Sequence, residues 1–283
     1  MRSYGLGKSF WSVGTVIMAI LLWGCSDKST NPGIVYPLRV DEGPIWSSSN
    51  LIAYLSGRGG PRGSGGLGLI DPVTKEKEML LVGCWVSPDW SPDGKWLAFA
   101  RCWSGGIYKI KADSDSLTKL TSDWSFHPAW SPDGKKIAYS VAGGDLAGIW
   151  VIDPDGNNKR RIGQWGWRAP DWSPSGEKFT FEGYIEGKGG ICMADSNGAN
   201  LKLLYPCEIS TGTSPSFSPD GTQIVFELNN QVCVMDTAGK RVTSLTRGME
   251  PAWSPDGSKI VFCRTFLWIY DLADKKEYQL TSW

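Results

Sequence analysis

Histidine is nearly absent from this sequence: His127 is the only one in 283 residues. A single imidazole excludes the multi-histidine centres that hold zinc and many transition metals. A surplus of charge is also lacking, because Lys+Arg and Asp+Glu are both 29 and the formal net charge is zero. Without a clustered cationic excess there is no electrostatic ground for nucleic-acid binding. A Ser-His-Asp arrangement needs only one histidine, but no G-x-S-x-G elbow occurs and no hydrolase domain accompanies the rest of the chain. His127 is therefore expected to be a rim residue without a catalytic role, and no cofactor or metal is expected. Long apolar runs are scarce too. One stretch, Val13 to Trp23, follows Arg2 and Lys8 and ends at Gly24-Cys25. That length suits the core of a secretory signal and falls short of the roughly 20 residues of a membrane span.

Leu22-Trp23-Gly24-Cys25 resembles the bacterial lipobox, in which the cysteine is lipidated and becomes the mature N-terminus. The expected division is a lipoprotein-type signal over 1–24, a polar, turn-rich tether over 25–33 and a folded domain over 34–283, with Cys25 as the lipid anchor and the only link to the membrane. A conventional signal cleaved nearby is the alternative. Ser26, where an acidic residue would favour the inner membrane, points by analogy to an outer-membrane lipoprotein facing the periplasm or the cell surface.

Glycine and tryptophan are abundant, at 35 and 16 residues. Their abundance is explained by a repeat. PDWSPDGKWLAFA starts at Pro88, PAWSPDGKKIAYS at Pro128, PDWSPSGEKFTFE at Pro170, PSFSPDGTQIVFE at Pro215 and PAWSPDGSKIVFC at Pro251. A worn copy, PIWSSSNLIAYL, begins at Pro44. The starts are separated by 44, 40, 42, 45 and 36 residues, the period of a four-stranded propeller blade. Pro-x-Trp-Ser reads as a short inner strand and Pro-Asp-Gly as a tight reversal, with proline fixing φ and glycine supplying positive φ. An aliphatic and aromatic second strand follows, then a third such as Ile149–Asp153 that is apolar on both faces. A charged outer strand such as Lys159–Ile162 ends the unit.

The phrase P-x-W-S-P-D-G-x-x-I-A-[YF], followed by I-[WY]-x-x-D and a closing L-T, resembles the TolB-like, WD-related propeller repeat. The resemblance spans roughly 34–283 and implies an all-β fold, a six-bladed β-propeller of four-stranded antiparallel blades. No α/β domain precedes the repeats, so the role of TolB in an envelope complex is not carried over by default. The ring closes either through side-chain packing between blades one and six or with Ile34–Val40 clasping the last blade.

Trp46, Trp90, Trp130, Trp172 and Trp253, with Phe217, occupy the repeat position and are expected to pack between blades, as are Trp150 and Trp268. A second aromatic set, Trp85, Trp103, Trp124, Phe126, Trp165 and Trp167, falls in segments expected to share one loop face. Such a face can hold sugar rings or the apolar anchor of a partner, or can simply plug the channel mouth. Glu42, His127, Arg168, Arg247 and Glu250 are expected on the same face, with Arg58 and Arg62 in the longest glycine-rich loop. Asp153-Asp155-Asn157 has the spacing of a calcium-loop start but lacks the distal glutamate, and turn chemistry accounts for it.

Six cysteines remain after Cys25, in a disulfide-permissive compartment. Folding the hairpin about Pro92-Asp93 places Cys84 opposite Cys102 and predicts a disulfide. Cys192 and Cys233 occupy equivalent third strands of adjacent blades, about 10 Å apart, and are not expected to bond. Cys207 and Cys263 have no assigned partner. Together these features suggest a monomeric, non-enzymatic binding scaffold of the cell envelope that presents its loops to a protein. The alternative is a glycan-binding, or less readily polysaccharide-active, propeller that uses the loop-face aromatics.

Overall fold

The computed structural model describes residues 41–57, 65–102, 104–113, 116–164, 166–208 and 213–282. The signal, the Cys25 anchor, the tether, the 34–40 clasp, Arg58, Arg62, Trp103 and Trp165 lie outside the described residues.

Six four-stranded sheets follow one another, each a simple meander of sequential strands. Blade one is β1 (Asp41–Trp46), β2 (Ile52–Ser56), β3 (Gly66–Ile70) and β4 (Lys77–Val82). Blade two is β5 (Trp85–Trp90), β6 (Trp96–Arg101), β7 (Ile107–Lys111) and β8 (Thr118–Lys119). Blade three is β9 (Ser125–Trp130), β10 (Ile137–Val141), β11 (Gly148–Ile152) and β12 (Arg160–Arg161). Blade four is β13 (Arg168–Trp172), β14 (Lys178–Ile185), β15 (Lys188–Asp195) and β16 (Lys202–Pro206). Blade five is β17 (Ser216–Phe217), β18 (Gln223–Leu228), β19 (Gln231–Asp236) and β20 (Thr243–Arg247). Blade six is β21 (Met249–Trp253), β22 (Lys259–Cys263), β23 (Leu267–Asp271) and β24 (Lys276–Gln279). Successive inner strands touch around the ring, and β1 touches β21 to close it.

The core is divided into clusters that each straddle two neighbouring blades. Phe179, Phe181 and Cys192 of blade four, for example, pack with Ala138, Ile149 and Val151 of blade three. This explains the unbroken apolar runs of the second and third strands: each sheet has a blade on both faces, so neither side chain row meets water.

The joints between blades alternate in chemistry. At the borders one–two, three–four and five–six, the repeat indole donates to the carbonyl one residue before the repeat aromatic of the preceding blade. Trp90 reaches Ile45 O at 3.3 Å, Trp172 reaches Ala129 O at 3.1 Å and Trp253 reaches Ser216 O at 3.2 Å. At two–three and four–five a carboxylate at that position accepts the next blade's backbone amide. Asp89 Oδ2 lies 2.6 Å from Trp130 N, and Asp171 Oδ2 lies 2.7 Å from Phe217 N.

At the six–one border the described residues are joined by side-chain hydrogen bonds and packing. Thr281 of the closing L-T receives Leu267 N at 3.0 Å and donates to Asp41 Oδ2 at 2.5 Å. Thr121, its counterpart in blade two, receives Ile107 N at 2.9 Å and shares a 3.0 Å hydrogen bond with Ser125 at the start of blade three. The seam is thus built like an interior border.

The Asp153–Asn157 turn is occupied by its own chemistry. Asp155 accepts Asn157 N at 2.9 Å, and Asp153 is bonded to Lys136 and Asn158.

Candidate functional site

Three residues before each repeat aromatic the inner strand departs from regular geometry. Gly43, Ser87, His127, Ala169, Ser214 and Glu250 all have positive φ, between 40° and 55°. Five of the six lack the conformational freedom of glycine, so this backbone is held by surrounding structure. The sheet register shifts beside this position in blades one, two, three, four and six, as a β-bulge requires. The bulges form a ring of six such positions, one in each blade.

The ring is secured from the second strands. Ala169 N donates to Ser140 Oγ at 3.0 Å, Ser214 N to Glu182 Oε1 at 2.8 Å and Glu250 N to Glu227 Oε2 at 3.2 Å. Thr213 N also donates to Glu182. In the closing blade the equivalent second-strand residue is Cys263. Its thiol meets Glu250 Oε2 at 3.3 Å, and that carboxylate accepts Gly43 N at 2.8 Å. Each accepted amide is a charge-assisted or neutral hydrogen bond between consecutive blades, so these side chains rigidify the mouth.

Arg168 Nε reaches Glu182 Oε2 at 2.6 Å, and Glu182 is buried. His127 lies within the electrostatic reach of this pair. Burial lowers its pKa to about 4, with the Glu182 charge opposing the shift and Arg168 adding to it. The imidazole is neutral at pH 7, and its buried Nδ1 has no hydrogen-bond partner among the described residues. At the two–three and four–five borders, burial raises Asp89 to about 8, with the charge of Asp171 contributing, and raises Asp171 to about 7.

The aromatic set divides. Trp124 is 46% exposed on the loop face, where Tyr184 at 50% and Leu146 at 51% join it. Phe126 and Trp167, expected on that face, are instead buried between blades, Trp167 stacked 4.3 Å from Phe181. They offer no ring to a ligand: β9 begins at Ser125 and carries Phe126 into the core, and Trp167, just before β13, packs against Phe179 and Phe181. Trp85 is half-buried, edge-on to Phe99 and Tyr108, with Arg101 over its ring. Arg247 is exposed and Glu250 half-buried. Tyr184 and Leu146 were missed; each sits at the tip of a second-to-third-strand hairpin, a location the repeat spacing does provide.

Cys84 and Cys102 form a disulfide, with Cα atoms 5.4 Å apart, tying the entry of β5 to the exit of β6. Cys192, Cys207 and Cys233 carry free thiols. Burial pushes Cys192 up to about 12 and Cys207 up to about 11, so neither is a ready nucleophile at neutral pH. Among the described residues no three His, Cys, Asp or Glu side chains are grouped to hold a metal ion.

Six four-stranded sheets in a closed ring define a six-bladed β-propeller. The TolB beta propeller domain family matches residues 43–232, more than half of the chain, and the protein belongs to that family. TolB from Acinetobacter baumannii superposes with a TM-score of 0.66 at 23% identity, covering 76% of this chain and 57% of that one. This chain therefore spans little more than half of that relative's length. A putative TolB from Agrobacterium tumefaciens gives 0.65 at 23% identity, covering 77% of this chain and 87% of that one. An oligogalacturonate lyase from Vibrio parahaemolyticus gives 0.55 at 17% identity, covering 82% and 78%, and shares the fold alone. No curated protein matches the sequence.

Proposed function

We propose that the protein is a non-enzymatic, lipid-anchored scaffold of the bacterial envelope that holds a protein partner on its loop face. The observation that carries this reading is where the exposed aromatics of the connecting segments lie. On the loop face stand the half-exposed Trp124 and Tyr184, with Leu146, whereas the exposed apolar residues in the connections of the opposite face, Val73, Leu117, Leu201 and Val242, are all aliphatic. On the other face, the reversal turns are tied into themselves: Ser131, for example, donates to Asp133 at 2.7 Å and Gly134 N to Ser131 O at 2.8 Å. Exposed aromatic anchors on a rigid frame are the usual energetic centres of protein interfaces. Family membership supports the envelope assignment, and the lipobox-like Leu22–Cys25 supports the anchor.

The test is site-specific photo-crosslinking in cells. A photoreactive residue at position 124 or 184 is expected to trap one discrete protein, whereas the same residue at 155, on the opposite face, traps none. Absence of a protein adduct from both loop-face positions overturns the reading. Palmitate incorporation that disappears in Cys25→Ala tests the anchor, and unlabelled wild-type protein removes it.

A further inference from the structure

The point at which the chain enters the ring bears on which face looks toward a membrane. β1 begins at Asp41, which pairs with Ser56, the last residue of β2. The chain therefore arrives at the end of the blade from which the second-to-third-strand connections leave, the loop face. Its arrival point is fixed, because buried Asp41 accepts the Thr281 hydroxyl of the last blade at 2.5 Å. β1 also touches β5 and β21, the inner strands on either side, so the entry lies at the inner edge of blade one.

Cys25 stands 16 positions before Asp41. A segment of that length reaches about 55 Å at full extension and averages about 20–25 Å as a coil. To come out beneath the reversal turns it has first to cross blade one, three strand spacings or about 14 Å, and then descend a strand of six residues, about 20 Å. That path exceeds the coil dimension before any side chain is cleared. A path straight from the loop face to a bilayer needs no such extension. A lipid at Cys25 thus holds the loop face, and not the reversal turns, toward the membrane.

The exposed aromatics of that face belong to one band. Ala142 N donates to Trp124 O at 2.8 Å, which joins the entry of blade three to the 142–147 connection that carries Leu146. Arg161 clamps this connection to the entry of blade four, donating to Asp145 O at 3.1 Å, to Ala147 O and to Gly163 O at 2.9 Å. The Tyr184 ring borders the same entry: a Cβ at Gly166 would stand 3.5 Å from its Cδ2. Blade four is across the ring from blade one, so the band and the entering chain share a face without competing for the same ground. The connections at 142–147 and 186–187, beside Leu146 and Tyr184, hold Asp145 and Glu186 and no Lys or Arg. Anionic lipid headgroups meet like charge there, whereas the apolar patch of a protein does not.

We propose that the partner of the loop face is a protein embedded in the bilayer that holds the Cys25 lipid, presenting an apolar patch to Trp124, Leu146 and Tyr184 at the membrane surface. The inference rests on the reading of the chain as a lipid-anchored scaffold and adds to it where the partner resides.

Two measurements test it. In the first, the lipidated full-length protein, with a fluorescent amino acid at position 184 or 155, is reconstituted in phosphatidylethanolamine–phosphatidylglycerol vesicles containing a headgroup-linked quencher. Emission from 184 is expected to be quenched at least twofold more than emission from 155. Equal or reversed quenching overturns the inference, and because no partner is present that outcome leaves the scaffold reading untouched. Protein that stays off the vesicles overturns the inference together with the anchor. In the second, a photoreactive residue at position 124 in cells is combined with a protease site inserted after Lys28. Cutting that site after irradiation frees the propeller from its own lipid. The adduct is expected to stay in alkaline-washed membranes, held by the partner alone. A protein adduct released into solution overturns the inference and leaves the scaffold reading standing. An adduct to lipid alone overturns the choice of a protein, and absence of any adduct from both 124 and 184 overturns both readings.

Discussion

Thr281 and Asp41 stand 240 positions apart and share a 2.5 Å hydrogen bond that joins the last blade to the first. Both residues are buried. The threonine hydroxyl also receives Leu267 N, so one side chain links an outer-strand exit, a third strand and the neighbouring blade. Thr121 performs the same double duty at the border between blades two and three.

Replacing Thr281 with the isosteric valine keeps the volume and removes both bonds, leaving a buried amide and carboxylate short of a partner. The expected loss is about 1–3 kcal/mol in urea unfolding. Thr121→Val should cost a similar amount if the seam is an ordinary border. A seam variant with an unchanged midpoint would show that other contacts carry the closure.

Glu182 satisfies two backbone amides of the next blade and pairs with Arg168 from within the core. Glu182→Ala takes the acceptor from the Thr213 and Ser214 amides and breaks the Arg168 ion pair, and a loss of about 3–5 kcal/mol is expected, as when one member of a buried ion pair is removed. Glu182→Gln retains an acceptor oxygen and should recover part of that loss. Equal unfolding midpoints for the two variants would contradict the assignment.

Asp89 and Asp171 give the protein an inverted acid response. Their folded pKa values, about 8 and about 7, lie above the ordinary carboxylate value because burial penalises the charged form. The native state therefore keeps protons that the unfolded chain releases above pH ~4, and stability declines as pH rises from there through the folded pKa values. Asp89→Asn keeps an oxygen for Trp130 N but cannot ionise. Its thermal midpoint should match wild type near pH 5 and exceed it at pH 8. Parallel profiles for the two proteins would refute the ionisation. Below pH ~4 the sign reverses, because hydrogen bonds to the carboxylates of Asp93, Asp133, Asp220 and Asp256 hold their pKa values low.

The Cys84–Cys102 bridge closes a segment with a sequence separation of 18 residues. Reduction, or a Cys84→Ser/Cys102→Ser double substitution, is expected to destabilise the domain by about 3 kcal/mol on chain-entropy grounds. Comparing unfolding midpoints with and without reductant measures it, and no change would mean that the reduced hairpin is equally ordered.

The blades were legible because the same phrase had to solve the same packing problem six times, and a repeated solution is visible as a period. The disulfide followed from hairpin register, with a subtlety. Near the turn Asp89 opposes Ala98, but beyond the bulge Val86 opposes Ala100, and that one-residue shift brings Cys84 level with Cys102. The site was less legible. Positive φ at Ser87, His127, Ala169, Ser214 and Glu250 leaves no mark in residue type, since tertiary contacts impose it. Without the bulge, Phe126 and Trp167 read as loop aromatics when they are core. One signal was present and unused: the residue before the repeat tryptophan is aspartate in the copies at Pro88 and Pro170 and small in those at Pro128, Pro215 and Pro251.

That aspartate marks the alternation of border chemistry, and the alternation bears on how such a ring is inherited. Indole joints fall within the blade couples one–two, three–four and five–six, and the aspartate accepts a backbone amide at two–three and four–five; at six–one the acceptor is instead the bulge residue Glu250, and Glu227 accepts an amide inside couple five–six. A single blade copied six times would carry one kind of border throughout. Copying couples reproduces the indole joint and the aspartate border in step, so transplanting a whole couple should leave better-matched edges than moving a single blade.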